Sequence, residues 1–275
     1  MEISEWTWKS FDGLDMYACA WTPQGLPKAV ILLVHGLGEH VGRYDHVAAA
    51  LTEKGYAMLG FDLRGHGKSG GPRGHTPSSE AFMRDIDSMV KQAKVRYPGI
   101  RQFMYGLSMG GNLVLNYILD RQPALAGAVV SAPGLRSPIL DQKNKAIFAK
   151  VLGVLLPSFT IPSGLDANML SRVPEVVDRY KQDPLVHDRV SLGLAKSQLE
   201  MVPWIFKHAG DLNIPLLVMH GTEDKIVYIQ GSREFARKAG DKVTLKIWDG
   251  MYHEIHNEPE QEQVLAYMLD WLGKH

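Results

Sequence analysis

The chain has 275 residues, room for one large domain or two small ones, and its 45% hydrophobic and 22% charged residues are ordinary for a globular protein. Thirty basic and thirty acidic side chains cancel, which argues against nucleic acid or an anionic membrane as an electrostatic partner. A single cysteine, Cys19, excludes an internal disulfide and a four-cysteine metal site.

The amino terminus, "MEISEWTWKS", has neither the basic start nor the apolar stretch of a secretory signal, and no run approaches the ~20 apolar residues that span a bilayer. A soluble, cytoplasmic protein is expected. "EWTWKSFDGLDMYACAWTP" alternates around Asp12-Gly13 and predicts an antiparallel hairpin. "AVILLVHG" (29–36) is a continuous apolar, β-branched run ending in glycine, the pattern of a strand buried on both faces. "YAMLGFDL" (56–63), "QFMYGLS" (102–108), "LAGAVVSAPG" (125–134) and "IPLLVMHG" (214–221) repeat it. "VTLKIWDG" (243–250) alternates more and is placed nearer a sheet edge.

Helical stretches lie between these runs. "SEAFMRDIDSMVKQAKVRYPG" opens with a capping serine, Ser79, and ends in Pro-Gly; "GGNLVLNYILDRQP", "GSREFARKAG" and "EQEQVLAYMLDWLGKH" follow. Strands alternating with helices imply an α/β fold, a mostly parallel sheet covered on both faces. Residues 136–208 break that rhythm, with prolines at 138, 157, 162, 174, 184 and 203. They are too many for a loop and too apolar for a linker, and predict a helical cap inserted after the sixth strand. The remainder, 1–135 and 209–275, would form the core.

Ligands of parallel sheets bind outside the carboxyl ends of the strands. Ser108 stands there, in "GLSMGG", with Gly106 and Gly110 permitting a tight strand-to-helix turn. The turn would leave the Met109 amide at a helix amino end, aimed at developing negative charge. "HGLGEH" (35–40) has the form of a loop that contributes a second amide, that of Leu37. A serine nucleophile needs a base and a group to orient it. Glu223 and Asp224 follow one strand, and residue chemistry does not choose between them. His253 and His256 share the loop after another, and His253 is preferred. Asp249 sits too near His253 in its turn, and Asp211 lies at the wrong strand end. His220, still in its strand, is read as structural, as are Asp62 and His66 of "FDLRGHGKSGG".

The blocks "HGLGEHVGRY", "FDLRGHGKSGG", "GLSMGG", "HGTEDKIV" and "GMYHEIHNE" run in order from near residue 30 to near 260. In them the chain resembles the monoacylglycerol lipases of the α/β-hydrolase fold, in the lysophospholipase-like, serine aminopeptidase S33 group. The resemblance implies Ser108 as nucleophile, Asp224 as acid, His253 as base, and the Leu37 and Met109 amides as oxyanion hole. It also implies that Glu39, Arg43 and His256 help shape a glycerol head-group pocket, although a buried Glu–Arg pair near a histidine could equally be scaffolding. Leu107 departs from the histidine often found before the nucleophile, which changes packing or pocket lining and not proton transfer.

These implications describe a serine hydrolase of lipid esters, acting through an acyl-enzyme with no metal or organic cofactor. Its partner would be a small-molecule lipid ester and not nucleic acid. The cap stretch "AIFAKVLGVLLPSF" (146–159) is expected to pack on one side and line an acyl pocket on the other. With Lys150 at its margin it could also make transient contact with a membrane or micelle. Each acyl CH₂ buried there would contribute about 0.8 kcal/mol. The alternatives are a broad carboxylesterase, a lysophospholipase or a peptidase of the same fold. From another class comes a non-catalytic binding protein, which generally lacks a triad member or an elbow glycine.

Overall fold

The structure is a computed structural model describing residues 1–138 and 152–275. The expected acyl-lining stretch 146–159 therefore lies outside the described residues as far as 151, Lys150 included.

The core is an eight-stranded sheet in the order β1-β2-β4-β3-β5-β6-β9-β10. β1 (Glu2–Lys9) and β2 (Asp15–Thr22) form the antiparallel hairpin expected around Asp12-Gly13, and β2 also pairs antiparallel with β4 (Ala57–Phe61). The remaining neighbours are parallel: β4, β3 (Val30–Val34), β5 (Gln102–Leu107), β6 (Gly127–Ser131), β9 (Leu216–Gly221) and β10 (Val243–Trp248). The continuous apolar runs are the inner strands, with every residue of β3, β4, β5, β6 and β9 buried. The more alternating run is β10, at the edge.

Helices α1 (Asp45–Glu53), α2 (Ser79–Arg96), α3 (Met109–Asp120) and α6 (Ile229–Ala239) lie between strands, α7 (Gln261–Lys274) follows the last one, and together they cover the sheet. The two faces carry separate apolar clusters. One joins Leu32, Met104 and Val130 to Phe82 and Ile118; the other joins Ile31, Phe103 and Val129 to Leu51 and Trp271. The cap of α2 is Ser78, not Ser79, its side chain accepting from the Ala81 amide at 3.2 Å.

Between β6 and β9, the described residues include β7 (Thr160–Pro162) paired antiparallel with β8 (Arg189–Ser191), α4 (Pro174–Gln182) and α5 (Leu192–His208). The small two-stranded sheet is a correction to a purely helical insertion; runs of three residues carry no readable alternation. Leu194, Met201, Val202 and Ile205 of α5 enter the same cluster as α2 and α3, so this helix seals the core as much as it belongs to the insertion. Both β8 and the segment before α4 are bonded to core loops. Ser191 donates its amide to Gly74, and Glu254 donates its amide to Leu170, each at 2.8 Å. No described helix is long and apolar enough to cross a membrane.

Candidate active site

Ser108 follows the last residue of β5 and precedes the first of α3. Its φ of 55° and ψ of −119° put a non-glycine residue in the left-handed half of backbone space, where a side chain costs about 1–3 kcal/mol. The turn is held by bonds on both sides: the Ser108 amide donates to Ser131 at 3.0 Å, and its carbonyl accepts from Asn112 at 3.1 Å. Glycine is required beside it. A Cβ on Gly110 would run into the carbonyl oxygens of Val34 and His35, and one on Gly106 into the Gly110 carbonyl. Met109 opens α3, so its amide is one of the donors a helix leaves unused at its amino end.

The loop after β3 reaches the same place, since a Cβ on Gly36 would lie 3.5 Å from that of Ser108. The loop is heavily braced. His35 accepts from the Leu63 amide through Nε2 at 2.9 Å, so its protonated Nδ1 donates to the Gly36 carbonyl at 2.8 Å. Burial holds that imidazole neutral, well below its ordinary range. The Gly36 amide donates to Glu39 Oε1 at 2.6 Å, and the Gly38 carbonyl accepts from the His187 amide at 2.9 Å. Leu37, half-buried, lies between these anchors.

Asp224 follows β9 and His253 follows β10. His253 Nδ1 is 2.7 Å from Asp224 Oδ2, and both are buried. The other oxygen, Oδ1, accepts from the Ile226 and Val227 amides at 2.9 and 3.0 Å. Burial alone would raise the Asp224 pKa, but His253 and His220 outweigh it and hold the carboxyl well below its usual range. Burial would likewise lower His253, yet Asp224, with Glu254 and Glu39 behind it, raises it. Donation from Nδ1 fixes the tautomer and leaves Nε2 as the nitrogen able to take a proton. His220 sits within β9, bonded to Ser232 Oγ at 2.7 Å and 3.2 Å from Asp224.

The other candidates have partners of their own. His256 stacks with both Tyr44 and His46, its nitrogens facing the Tyr105 hydroxyl at 3.4 Å and the Asn257 amide at 3.3 Å. Burial drops its pKa to about 3. Asp249 accepts from Thr222 in the turn after β10. Asp62 accepts from the Val41 and Lys68 amides at 2.9 and 2.7 Å, bracing two loops.

Glu39 and Arg43 meet at 2.6 Å, and Arg43 also grips both oxygens of Glu254 at 2.7 Å each. Burial raises Glu39, whereas for Glu254 the forked arginine overcomes burial and brings the pKa to about 2. Glu254 escaped sequence reading, although an acid next to the preferred base in "YHEIH" was a signal. Asp183 was also missed; it accepts from His40 Nε2 at 2.8 Å and so joins the insertion to the "HGLGEH" loop. Among the described residues no cluster could hold a metal ion.

The family described as serine aminopeptidase, S33, matches residues 25–260. The chain belongs to that family. It is 37% identical to a monoacylglycerol lipase of Mycolicibacterium smegmatis over 99% of this chain and 98% of the relative. The crystal structure of the Paleococcus ferrophilus monoacylglycerol lipase superposes with a TM-score of 0.84 at 36% identity, covering 99% of this chain and 98% of that one. An uncharacterized abhydrolase domain-containing protein of Dictyostelium discoideum is 40% identical over 92% of this chain, which spans only 27% of that longer relative. The fold is that of the α/β-hydrolases.

Proposed function

We propose that this protein hydrolyses carboxylic esters of lipids, monoacylglycerol above all, releasing glycerol and fatty acid. The observation that carries the reading is the buried Asp224–His253 pair, 2.7 Å apart, at the strand ends where Ser108 occupies its strained turn. The full-length similarity to monoacylglycerol lipases supports the choice of substrate.

In the proposed cycle His253 takes the Ser108 proton as Oγ attacks the ester carbonyl, and Asp224 holds the imidazole and stabilises the imidazolium. The Leu37 and Met109 amides receive the oxyanion; losing one such donor typically costs about 3 kcal/mol of barrier. The alcohol departs with the proton from His253, and water repeats the sequence on the acyl-enzyme.

Residues 136–208 act as the cap, with α5 shared with the core. A cavity of about 270 Å³ in the insertion is lined by polar and apolar side chains alike, among them Leu165, Tyr180, Asp183, Val186 and His187, and His187 and Asp183 are bonded to Gly38 and His40 of the "HGLGEH" loop. Glu39, Arg43 and His256 contribute to head-group recognition through the shape they give this region. Val154, Leu155, Leu156 and Phe159 are more than half exposed, an apolar patch fitted to touch a lipid surface transiently. The protein would act in the cytoplasm.

The test is a rate panel over monoacylglycerols, p-nitrophenyl esters, lysophospholipids and aminoacyl amides. Highest kcat/KM on monoacylglycerols is expected; a preference for any other class would reassign the substrate.

A further inference from the structure

The geometry points to Glu254 as a positioning residue of the proposed hydrolysis, binding the base loop and the oxyanion loop into one rigid frame through Arg43. This rests on the reading of Ser108, His253 and the Leu37 amide given above. The connection is continuous. The Gly36 amide donates to Glu39 Oε1 at 2.6 Å; Glu39 Oε2 takes Arg43 Nη1 at 2.6 Å; Arg43 then spans both Glu254 oxygens at 2.7 Å. Gly36 immediately precedes the proposed oxyanion donor, and Glu254 immediately follows the proposed base.

The carboxylates of this frame have further partners. Glu254 Oε2 also accepts from Asn257 at 2.7 Å, Glu39 Oε1 from the Tyr44 hydroxyl at 2.8 Å, and the Arg43 guanidinium stacks 4.7 Å from the Tyr180 ring centroid. Glu254 and Glu39 are 1% and 2% exposed, so neither is open to a ligand while the frame is closed. A forked ion pair fixes direction as well as distance. A slip of one loop against the other would separate the imidazole from the oxyanion donors, and an error of about 1 Å can cost a hundredfold in rate.

The frame also carries charge. Two carboxylates share one guanidinium, leaving an excess negative charge beside His253 as it becomes imidazolium. The charged and titratable groups around His253 are Asp224 and His220 from the β9 side, Glu39 and Arg43 from the β3 side, and Glu254 and His256 on its own loop. Removing the Glu254 charge while keeping its shape therefore weakens the imidazolium.

The experiment compares wild type, Glu254→Gln and Glu254→Asp on a soluble ester across pH, with rates normalised to the fraction titrated by a fluorophosphonate. Glu254→Gln is expected to lose about ten- to a hundredfold in kcat/KM, chiefly in kcat, with its acidic limb displaced to lower pH. Glu254→Asp, too short to fork Arg43, should also lose rate but keep the limb near the wild-type position. Wild-type kcat/KM in Glu254→Gln, or an unmoved limb with loss only of titratable enzyme, overturns the inference. Should Glu254→Gln not fold, wild-type kcat/KM in Glu254→Asp overturns it. An active wild type with unaffected variants removes this inference alone; a wild type that neither labels nor turns over removes the proposed function, and this with it.

Discussion

His253 Nδ1 lies 2.7 Å from Asp224 Oδ2, while Oδ1 of the same carboxylate is held by two backbone amides. The carboxylate can therefore neither rotate nor surrender its place without breaking the turn after β9. Asp224→Asn keeps the shape but presents an amide where the imidazole must donate, favouring the wrong tautomer. We expect kcat to fall about 10⁴-fold with KM little changed. Steady-state kinetics on a soluble ester check this, and a loss under tenfold would give the orienting role to another acid.

The pH–rate profile follows from the same pair. A base must be neutral to accept the Ser108 proton, and Asp224, against the effect of burial, raises His253. The rate should therefore climb with pH through a midpoint above that of an ordinary histidine. A midpoint below 6 would contradict the geometry.

Stability also falls in acid, for a different reason. His35, His66 and His256 are fully buried, and burial lowers each, His66 and His256 to about 3. In the unfolded chain they titrate at about 6.5. The unfolded state therefore binds more protons below that pH, and each histidine removes about 1 kcal/mol of stability per pH unit as pH falls. His253, raised in the fold, keeps its full contribution in that window, and the carboxyls of Glu39, Asp62 and Asp85, which burial raises, offset only part of the slope. Thermal unfolding should show Tm dropping steeply between pH 6.5 and 4.5; a flat Tm there would mean these rings are not held neutral.

The strain at Ser108 is measurable independently of activity. Glycine accepts a φ of 55°, so Ser108→Gly should be more stable than Ser108→Ala by about 1 kcal/mol, after its greater unfolded-state entropy is deducted. Both variants should be inactive. Calorimetry giving Ser108→Ala the higher Tm would show that the turn is relaxed.

The exposed residues Leu155 and Phe159 separate lipid contact from chemistry. Leu155→Asp with Phe159→Asp should reduce turnover of emulsified long-chain monoacylglycerol several-fold and leave a soluble short-chain ester unchanged. Equal losses on both would place these side chains in the pocket or in its folding.

Much of the sheet was legible because buried parallel strands must be apolar along their whole length. "AVILLVHG" and "IPLLVMHG" could hardly be anything else, and "VTLKIWDG", which alternates, became the edge strand β10. The strand-end rule then brought residues 108, 224 and 253 to one rim. The pairing of β7 with β8 was hidden because each strand has three residues and one contains Pro162. Glu254 was hidden for another reason: its partner Arg43 stands 211 positions away, and only the folded sheet brings the two loops together. Likewise Asp183 shows its purpose only once His40 lies against it.

Ser108 is the group expected to be acylated during turnover. Intact-mass spectrometry after a fluorophosphonate, with peptide mapping, reads it directly on wild type and Ser108→Ala. One adduct per chain, located at Ser108 and abolished in the variant together with ester hydrolysis, is the predicted result. An unlabelled wild type, or undiminished labelling of Ser108→Ala, would contradict the account.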